Sequence, residues 1–210
     1  MKTLYLALLL AATAAHALSD SEKETLMTAA KQAYAQQDYA TALEKWQTLA
    51  EAGNAEAQNN LGILYDNGQG VAQDYAQARA WYEKAAAQGN ANAQNSLGIL
   101  YSKGQDVAQD YGQAATWWEK AAAQVDARAQ FILHLLYYNG QGMAQDYGQA
   151  RAWYEKAAAQ GYTDAQYNLG VLYYNGEGVP RDISKAREWL EKAAAQGDES
   201  AKAALQKFGK

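Results

Sequence analysis

Proton transfer near neutral pH calls first for histidine, and this chain has two, His16 and His134. A histidine-based triad also needs a serine and a carboxylate close by, and no motif around either residue announces one. There is no cysteine, which excludes a thiol nucleophile, a Cys-ligated metal and a disulfide framework. Carboxylates are plentiful: Glu83, Glu119, Glu155 and Glu191 recur in "EKAAAQ", each followed by lysine. Two carboxylates alone can run a glycosidase. A catalytic pair is needed once, however, whereas four copies at constant spacing read as solvated helix surface. Asp74, Asp110, Asp146 and Asp182 recur in the same way, and helix capping is a sufficient reason for them. The "GQG" of the intervening link does not follow a strand, so it reads as a turn and not a phosphate loop. With no metal-ligand cluster in view, the reading assigns no catalytic residue, no metal and no cofactor.

These residues are placed by a repeat. Trp81, Trp117, Trp153 and Trp189 are 36 residues apart, and Leu61, Leu97, Leu133 and Leu169 keep the same step. Residues 54–89 and 90–125 share 26 of 36 positions. A fixed period of this size marks stacked supersecondary units. Each unit reads as two helices. In the first, Ala57, Leu61 and Leu64 follow the i, i+4, i+7 spacing of one buried face, with Asn54 as cap and Gly68 as terminator. The link carries Val71, able to turn inward. In the second, Asp74 with Gln77 can form a capping box, Ala78, Trp81, Tyr82 and Ala85 pack, and Gly89 closes the unit. The pattern predicts that the four tryptophans are buried between helix pairs. Residues 18–53 match as a degenerate first unit, with Ser21 and Glu24 as a further capping box and Asp38 and Gly53 in register. Four repeats follow at 54–89, 90–125, 126–161 and 162–197. Residues 198–210 form a final covering helix, capped by Asp198, with Ala201, Leu205 and Phe208 apolar.

The start is of another kind. "MKTLYLALLLAATAAHA" has a basic residue at Lys2, an apolar run from Leu4 to Ala12 and small residues at Ala15 and Ala17. That is the layout of a secretory signal peptide cleaved after Ala17, and the run is too short to span a bilayer comfortably. The expectation is an exported protein, periplasmic or secreted. Its formal charge of −5 argues against a nucleic-acid binder, which would need clustered Lys and Arg.

The stretch "AQNNLGILYDNGQGVAQDYAQARAWYEKAAAQG" resembles the Sel1-like repeat, a relative of the tetratricopeptide repeat. The resemblance rests on Ala57, Leu61, Gly62, Tyr65, Gly68, Gly70, Val71, Asp74, Ala78, Trp81, Ala85, Ala86 and Gly89, and it recurs four times over residues 54–197. It implies an all-α, right-handed solenoid of antiparallel helix pairs. It also implies a non-enzymatic scaffold that binds proteins or peptides, and in host-associated bacteria a link to contact with host cells. The β-lactam chemistry associated with cysteine-rich relatives does not carry over to a chain without cysteine.

Positions shared by all copies are explained by stacking, so specificity should lie where the copies diverge. At about 100° per residue, positions 59 and 66 point away from the face set by 57, 61 and 64. The two slots hold Asn59 with Asp66, then Asn95 with Ser102, then Phe131 with Tyr138, then Tyr167 with Tyr174. The stripe turns aromatic along the chain. Phe131, Tyr138, Tyr167 and Tyr174 are therefore the candidate partner-binding residues, since exposed aromatics make interaction hot spots; ordinary repeat packing is the competing explanation. Three further departures cluster. Val125 replaces a closing glycine, His134 replaces the glycine of positions 62, 98 and 170, and Asp106 replaces a link glycine. A β-branched residue in left-handed geometry is strained, so the expectation is a distorted junction at 125–134, either neutral drift or a bend that reshapes the groove. The function read from all this is an exported scaffold binding a protein or peptide partner. The alternative is an envelope enzyme or small-ligand binder acting on cell-wall material.

Overall fold

Every Asn or Asp that the repeat places ahead of an alanine-rich run starts a helix. The computed structural model describes residues 18–177 and 179–207; the expected signal peptide and Phe208 lie outside the described residues. Eleven helices and no strand are found among the latter: α1 Asp20–Ala35, α2 Tyr39–Glu51, α3 Ala55–Asn67, α4 Tyr75–Ala87, α5 Ala91–Lys103, α6 Tyr111–Ala123, α7 Ala127–Asn139, α8 Tyr147–Ala159, α9 Thr163–Asn175, α10 Ile183–Ala195 and α11 Glu199–Lys207. The all-α class and the repeating helix pairs agree with the sequence reading.

Caps set these boundaries. Asn54, Asn90 and Asp126 each accept a hydrogen bond from the amide three residues on, as do Asp110, Asp146, Asp182 and Asp198. Gly68, Gly104, Gly140 and Gly176 end the first helices at φ between 66° and 76°, a conformation open to glycine at no steric penalty. At the N-terminus the capping box is formed by Ser19 and Glu22 and not by Ser21 and Glu24: the Ser19 side chain accepts from the Glu22 amide, and the Glu22 carboxylate accepts from the Ser19 amide at 2.8 Å. Both pairs fit the S-x-x-E pattern, and the chain uses the one that begins the helix two residues earlier.

The chain falls into two compact units, one ending at Trp81 and the other beginning at Tyr82. In the first, Ala30, Ala33, Ala42, Trp46, Leu49, Ala57, Leu61 and Leu64 form the core. In the second, α6 and α7 enclose Ala114, Trp118, Ala121, Leu133 and Leu136, α8 and α9 enclose Tyr154, Ala157 and Leu169, and α11 covers Leu190 and Ala193 through Ala201.

The tryptophans do not occupy these cores as expected. Trp81, Trp117, Trp153 and Trp189 are half-buried. The buried slot is the next residue: Tyr82, Trp118, Tyr154 and Leu190 are 1–3% exposed. One residue is a rotation of about 100°, enough to move a ring from the pair's interior to its flank. There Trp153 and Trp189 pack against the core of the preceding pair, and a lysine one turn on lies over the ring. Lys120, Lys156 and Lys192 place their Nζ atoms 3.9, 3.9 and 4.0 Å from the centroids of Trp117, Trp153 and Trp189, a cation–π arrangement.

A buried polar feature runs beside the apolar one. Gln94, Gln130 and Gln166 are 4–5% exposed. Each donates to a carbonyl at the end of the preceding helix: Ala86 at 3.4 Å, Ala122 at 3.2 Å and Ala158 at 3.0 Å. Gln58 does the same to Ala50 in the first unit. In the second unit each glutamine also accepts from a helix-end glutamine one repeat later: Gln124 on Gln94, Gln160 on Gln130 and Gln196 on Gln166. These bonds give a second donor to helix-terminal carbonyls that already accept the backbone amide three residues on. They also tie adjacent repeats together in register.

Val125 has φ of 70°, beside 86° and 88° for Gly89 and Gly161. The expected distortion is absent. The Val125 amide still bonds the Ala122 carbonyl at 3.1 Å, as Gly89 does to Ala86 and Gly161 to Ala158 at 3.0 Å. The strain is held in one dihedral, because bonds on both sides over-determine it. Val125 is 64% exposed, so its side chain offers little packing in return. Val125→Gly should stabilise the protein by up to about 1 kcal/mol, the left-handed penalty less the entropy that glycine restores to the unfolded chain. Urea denaturation measures this, and a destabilised variant would contradict it.

Candidate functional site

The expected stripe starts from α7 and α9, and the structure divides it in two. Its first slot is not outward-facing. Asn59 and Asn95 are 4% and 6% exposed, and Asn95 accepts from the Trp118 indole at 3.0 Å. A first helix packs on its own mate and on a neighbouring pair, so its covered arc is wider than the face defined by three residues. Phe131 and Tyr167 are accordingly half-buried. The second slot is open: Tyr138 and Tyr174 are each 44% exposed.

Phe131 and Tyr138 flank His134, and the three join α8 in one aromatic cluster. Phe131 packs at 5.7 Å from Tyr154 and 5.3 Å from Tyr162. Tyr138 lies 5.8 Å from His134 and meets Tyr147 edge-on at 5.3 Å. His134 itself stacks on Tyr154, centroids 3.8 Å apart and planes 13° from parallel. That stacking explains how a side chain fits here. At Gly98 a Cβ would come within 2.6 Å of the Trp118 ring, and at Gly170 within 2.7 Å of Leu190 Cγ. A ring lying flat against the imidazole leaves the space that an upright indole or branched leucine takes away.

His134 is 8% exposed, and its Nδ1 lies 2.9 Å from the Ala150 carbonyl. A carbonyl only accepts, so Nδ1 carries the proton. Burial, partly opposed by that hydrogen bond, holds the imidazole below its ordinary value of 6.5. Burial also pushes the Tyr154 phenol well above its usual range, with Asp164 adding to the effect. Both rings are therefore neutral at pH 7. Because the folded pKa of His134 lies below the unfolded one, its neutral form contributes full stability above about pH 6.5. That contribution is lost as pH falls through the interval down to the folded pKa, where the unfolded chain binds the proton first. His134→Gln should remove this acid-side slope. Denaturation midpoints between pH 5 and 8 test the point, and parallel curves for the two proteins would contradict it.

The second pair takes part in another concavity. Tyr167 and Tyr174 line an open cavity of about 370 Å³ with Val171 and Leu190, closed on one side by Ser200, Ala203 and Ala204 of α11. The Arg181 guanidinium sits 5.5 Å from the Tyr174 centroid. The structure thus brings Phe131 to Tyr138 and Tyr167 to Tyr174, in two aromatic patches of the second unit.

The recurring glutamates are not gathered. Glu119 accepts from Tyr137 at 3.3 Å, Glu155 lies 3.7 Å from Arg151, and Glu191 is exposed on its own helix. Among the described residues no group of three His, Asp or Glu could hold a metal ion, and no helix is long and apolar enough to cross a membrane. Sequence reasoning overlooked Tyr147, Tyr154 and the buried glutamines. Tyr147 follows the capping Asp, as a tyrosine does in the two repeats before it, and that uniformity hid it.

The Sel1 repeat family matches four times, at residues 55–90, 91–126, 127–162 and 163–198. Among curated proteins the chain has no match. Among solved structures it is similar to a Sel1 repeat protein from Oxalobacter formigenes, with a TM-score of 0.74 and 36% identity over 81% of this chain and 49% of that one. It is also similar to a protective antigen of uropathogenic Escherichia coli, with a TM-score of 0.72 and 40% identity over 76% of this chain and 34% of that one. The chain therefore spans between a third and a half of the length of these two proteins.

Proposed function

Because the chain belongs to the Sel1-repeat family, whose members generally mediate protein–protein interaction and are typically scaffolds and not enzymes, we propose that it is an exported scaffold holding a protein or peptide partner through the aromatic patches of its second unit. The observation that carries this is the exposure of Tyr138, Tyr147 and Tyr174, at 44%, 56% and 44%, beside open concavities. In the repeat before them the slot of Tyr138 and Tyr174 holds Ser102, whose hydroxyl bonds its own helix at 2.8 Å. Rigid aromatic surface with a polar tip binds at low entropic cost.

Export is supported by the Lys2, Leu4–Ala12, Ala15–Ala17 layout, and a place in contact with a host by the likeness to a protective antigen. N-terminal sequencing of the protein from the producing cell's exported fraction should begin at Leu18; a start that retains Lys2 would overturn cleavage. For binding, a partner identified by pulldown is titrated calorimetrically against Tyr138→Ala and Tyr174→Ala. Each should weaken it about tenfold, or 1.4 kcal/mol, and Ser102→Ala should leave it unchanged. Wild-type affinity in both tyrosine variants, with folding verified by circular dichroism, would sink the reading.

A further inference from the structure

The cavity beside His134 has a more specific chemistry than the surface around it. It measures about 270 Å³ and is walled by His134, Tyr138, Tyr147, Arg151, Leu172 and Glu177, with Ala150 and the buried Val179 completing it. That is just below the ~300 Å³ at which drug-sized ligand sites begin, room for one side chain and not for a cofactor. Its walls are aromatic and aliphatic. Its two formal charges are opposite, and each has its own partner: Arg151 lies 3.7 Å from Glu155, and Glu177 accepts from Asn175 at 2.9 Å. The cavity therefore offers no net charge to select an ion.

One polar function of the His134 ring remains unused. With Nδ1–H committed to the Ala150 carbonyl, the neutral imidazole presents Nε2 as an acceptor, and Nε2 makes no hydrogen bond to any described residue. The ring lines an open cavity, so this acceptor is available to a donor that enters it. Phe131, Tyr138 and Tyr154 hold that ring by packing, so it is presented rigidly. A neutral, flat ligand with one hydrogen-bond donor satisfies every one of these features.

We propose that this cavity is the receptor for a single tryptophan or tyrosine side chain of a bound peptide, its ring against Tyr138 and Tyr147 and its N–H or O–H donated to His134 Nε2. The proposal rests on the scaffold reading, and deepens it by naming the anchor. It also accounts for the departure of His134 from the glycine of its neighbours. Glycine at this position would leave the cavity without the imidazole acceptor and the rigid ring that presents it.

The test uses the full chain labelled with 15N-histidine, the His134 ring resonances being assigned by their loss in His134→Gln. The probes are N-acetyl-tryptophanamide, N-acetyl-phenylalaninamide and N-acetyl-leucinamide. The tryptophan amide should shift the His134 Nε2 resonance with a dissociation constant of roughly 1 mM, the scale for a single anchoring group. The phenylalanine amide, which lacks a ring donor, should bind at least about threefold more weakly, and the leucine amide should cause no shift. Tyr147→Ala, at an exposed position, should weaken the tryptophan amide about tenfold. Lowering the pH until His134 protonates turns Nε2 into a donor and should abolish the preference for tryptophan over phenylalanine; Tyr138, Tyr147, Tyr154, Arg151 and Glu177 are the other titratable groups around the ring. No shift with the tryptophan amide, an equal shift with the leucine amide, or wild-type binding in Tyr147→Ala overturns the proposal. If a protein partner is captured while the amides fail, the cavity assignment falls and the scaffold reading stands. If the amides bind and no partner is captured, the peptide occupant falls.

Discussion

Trp118→Ala should destabilise the protein by about 3–5 kcal/mol, the usual range for a buried tryptophan, while Trp117→Ala should cost well under half of that. The two residues are neighbours of the same type, so composition and helix propensity cancel between them. Trp118 is 3% exposed, donates its indole N–H to Asn95 at 3.0 Å and fills the space above Gly98. Removing it leaves a cavity and an unpaired buried amide. Trp117 lies on the flank with Lys120 across its ring, where an exposed cation–π contact contributes about 0.5–1 kcal/mol. Stacked repeats depend on their nearest neighbours, so in Trp118→Ala hydrogen exchange should accelerate first in α5, α6 and α7. Chemical denaturation of the two variants decides the point. Equal losses would mean that the two rings share the interior.

Gln130→Leu should cost about 1–2 kcal/mol despite its added apolar surface, the net value of two hydrogen bonds. The Ala122 carbonyl keeps the Val125 amide but loses its second donor, a net loss of about 1 kcal/mol. Gln160 loses its acceptor as well, though from a more exposed site. Gln130→Glu separates geometry from chemistry: it fits the same volume, cannot donate to Ala122 when ionised, and should be destabilising above about pH 6 and milder below about pH 4, on either side of the ordinary carboxylate range. Denaturant midpoints measure both variants. A leucine variant as stable as the wild type would show that the glutamine ladder contributes nothing to register.

Periodicity made most of the fold legible. The caps at Asn54, Asp110 and Asp146, the terminating Gly68 and the final helix behind Asp198 follow from residues whose local chemistry has one use at those places. Two errors share a different origin. In "WYE" and "WWE" adjacent aromatics are equally apolar, and which of them is buried depends on what faces it. Gly98 opens space opposite position 118, and that is a fact about a second helix. In "SDSEKE" two capping boxes overlap, and the choice between them is made by where the helix meets its neighbours. Val125 was legible as a left-handed residue because its register was fixed. Its undistorted surroundings were not, since hydrogen bonds on both sides can hold a strained dihedral without moving. The glutamines went unread because glutamine is mostly exposed in proteins, and a buried one needs a carbonyl supplied by a different helix.

The candidate site was legible in outline. The change from Asn95 and Ser102 to Phe131, Tyr138, Tyr167 and Tyr174 marked the right repeats, but treating both slots as outward-facing was wrong for the first. His134 appeared as an irregularity in a glycine column. Only the flat Tyr154 ring, which occupies the slot filled by Trp118 and Leu190 in the adjoining repeats, turns that irregularity into a stacked, neutral acceptor.

The central claim is that a protein partner sits on the aromatic patches of the second unit. Site-specific photo-crosslinking in the producing cells tests it directly, because the crosslink itself selects the partner. Tyr138 and Tyr174 are replaced one at a time by p-benzoylphenylalanine, with the exposed Gln113 and Thr116 of α6 as controls. The account predicts a discrete adduct with one and the same protein from positions 138 and 174, and none from 113 or 116. No adduct from the tyrosine positions, or the same adducts from all four, would contradict it.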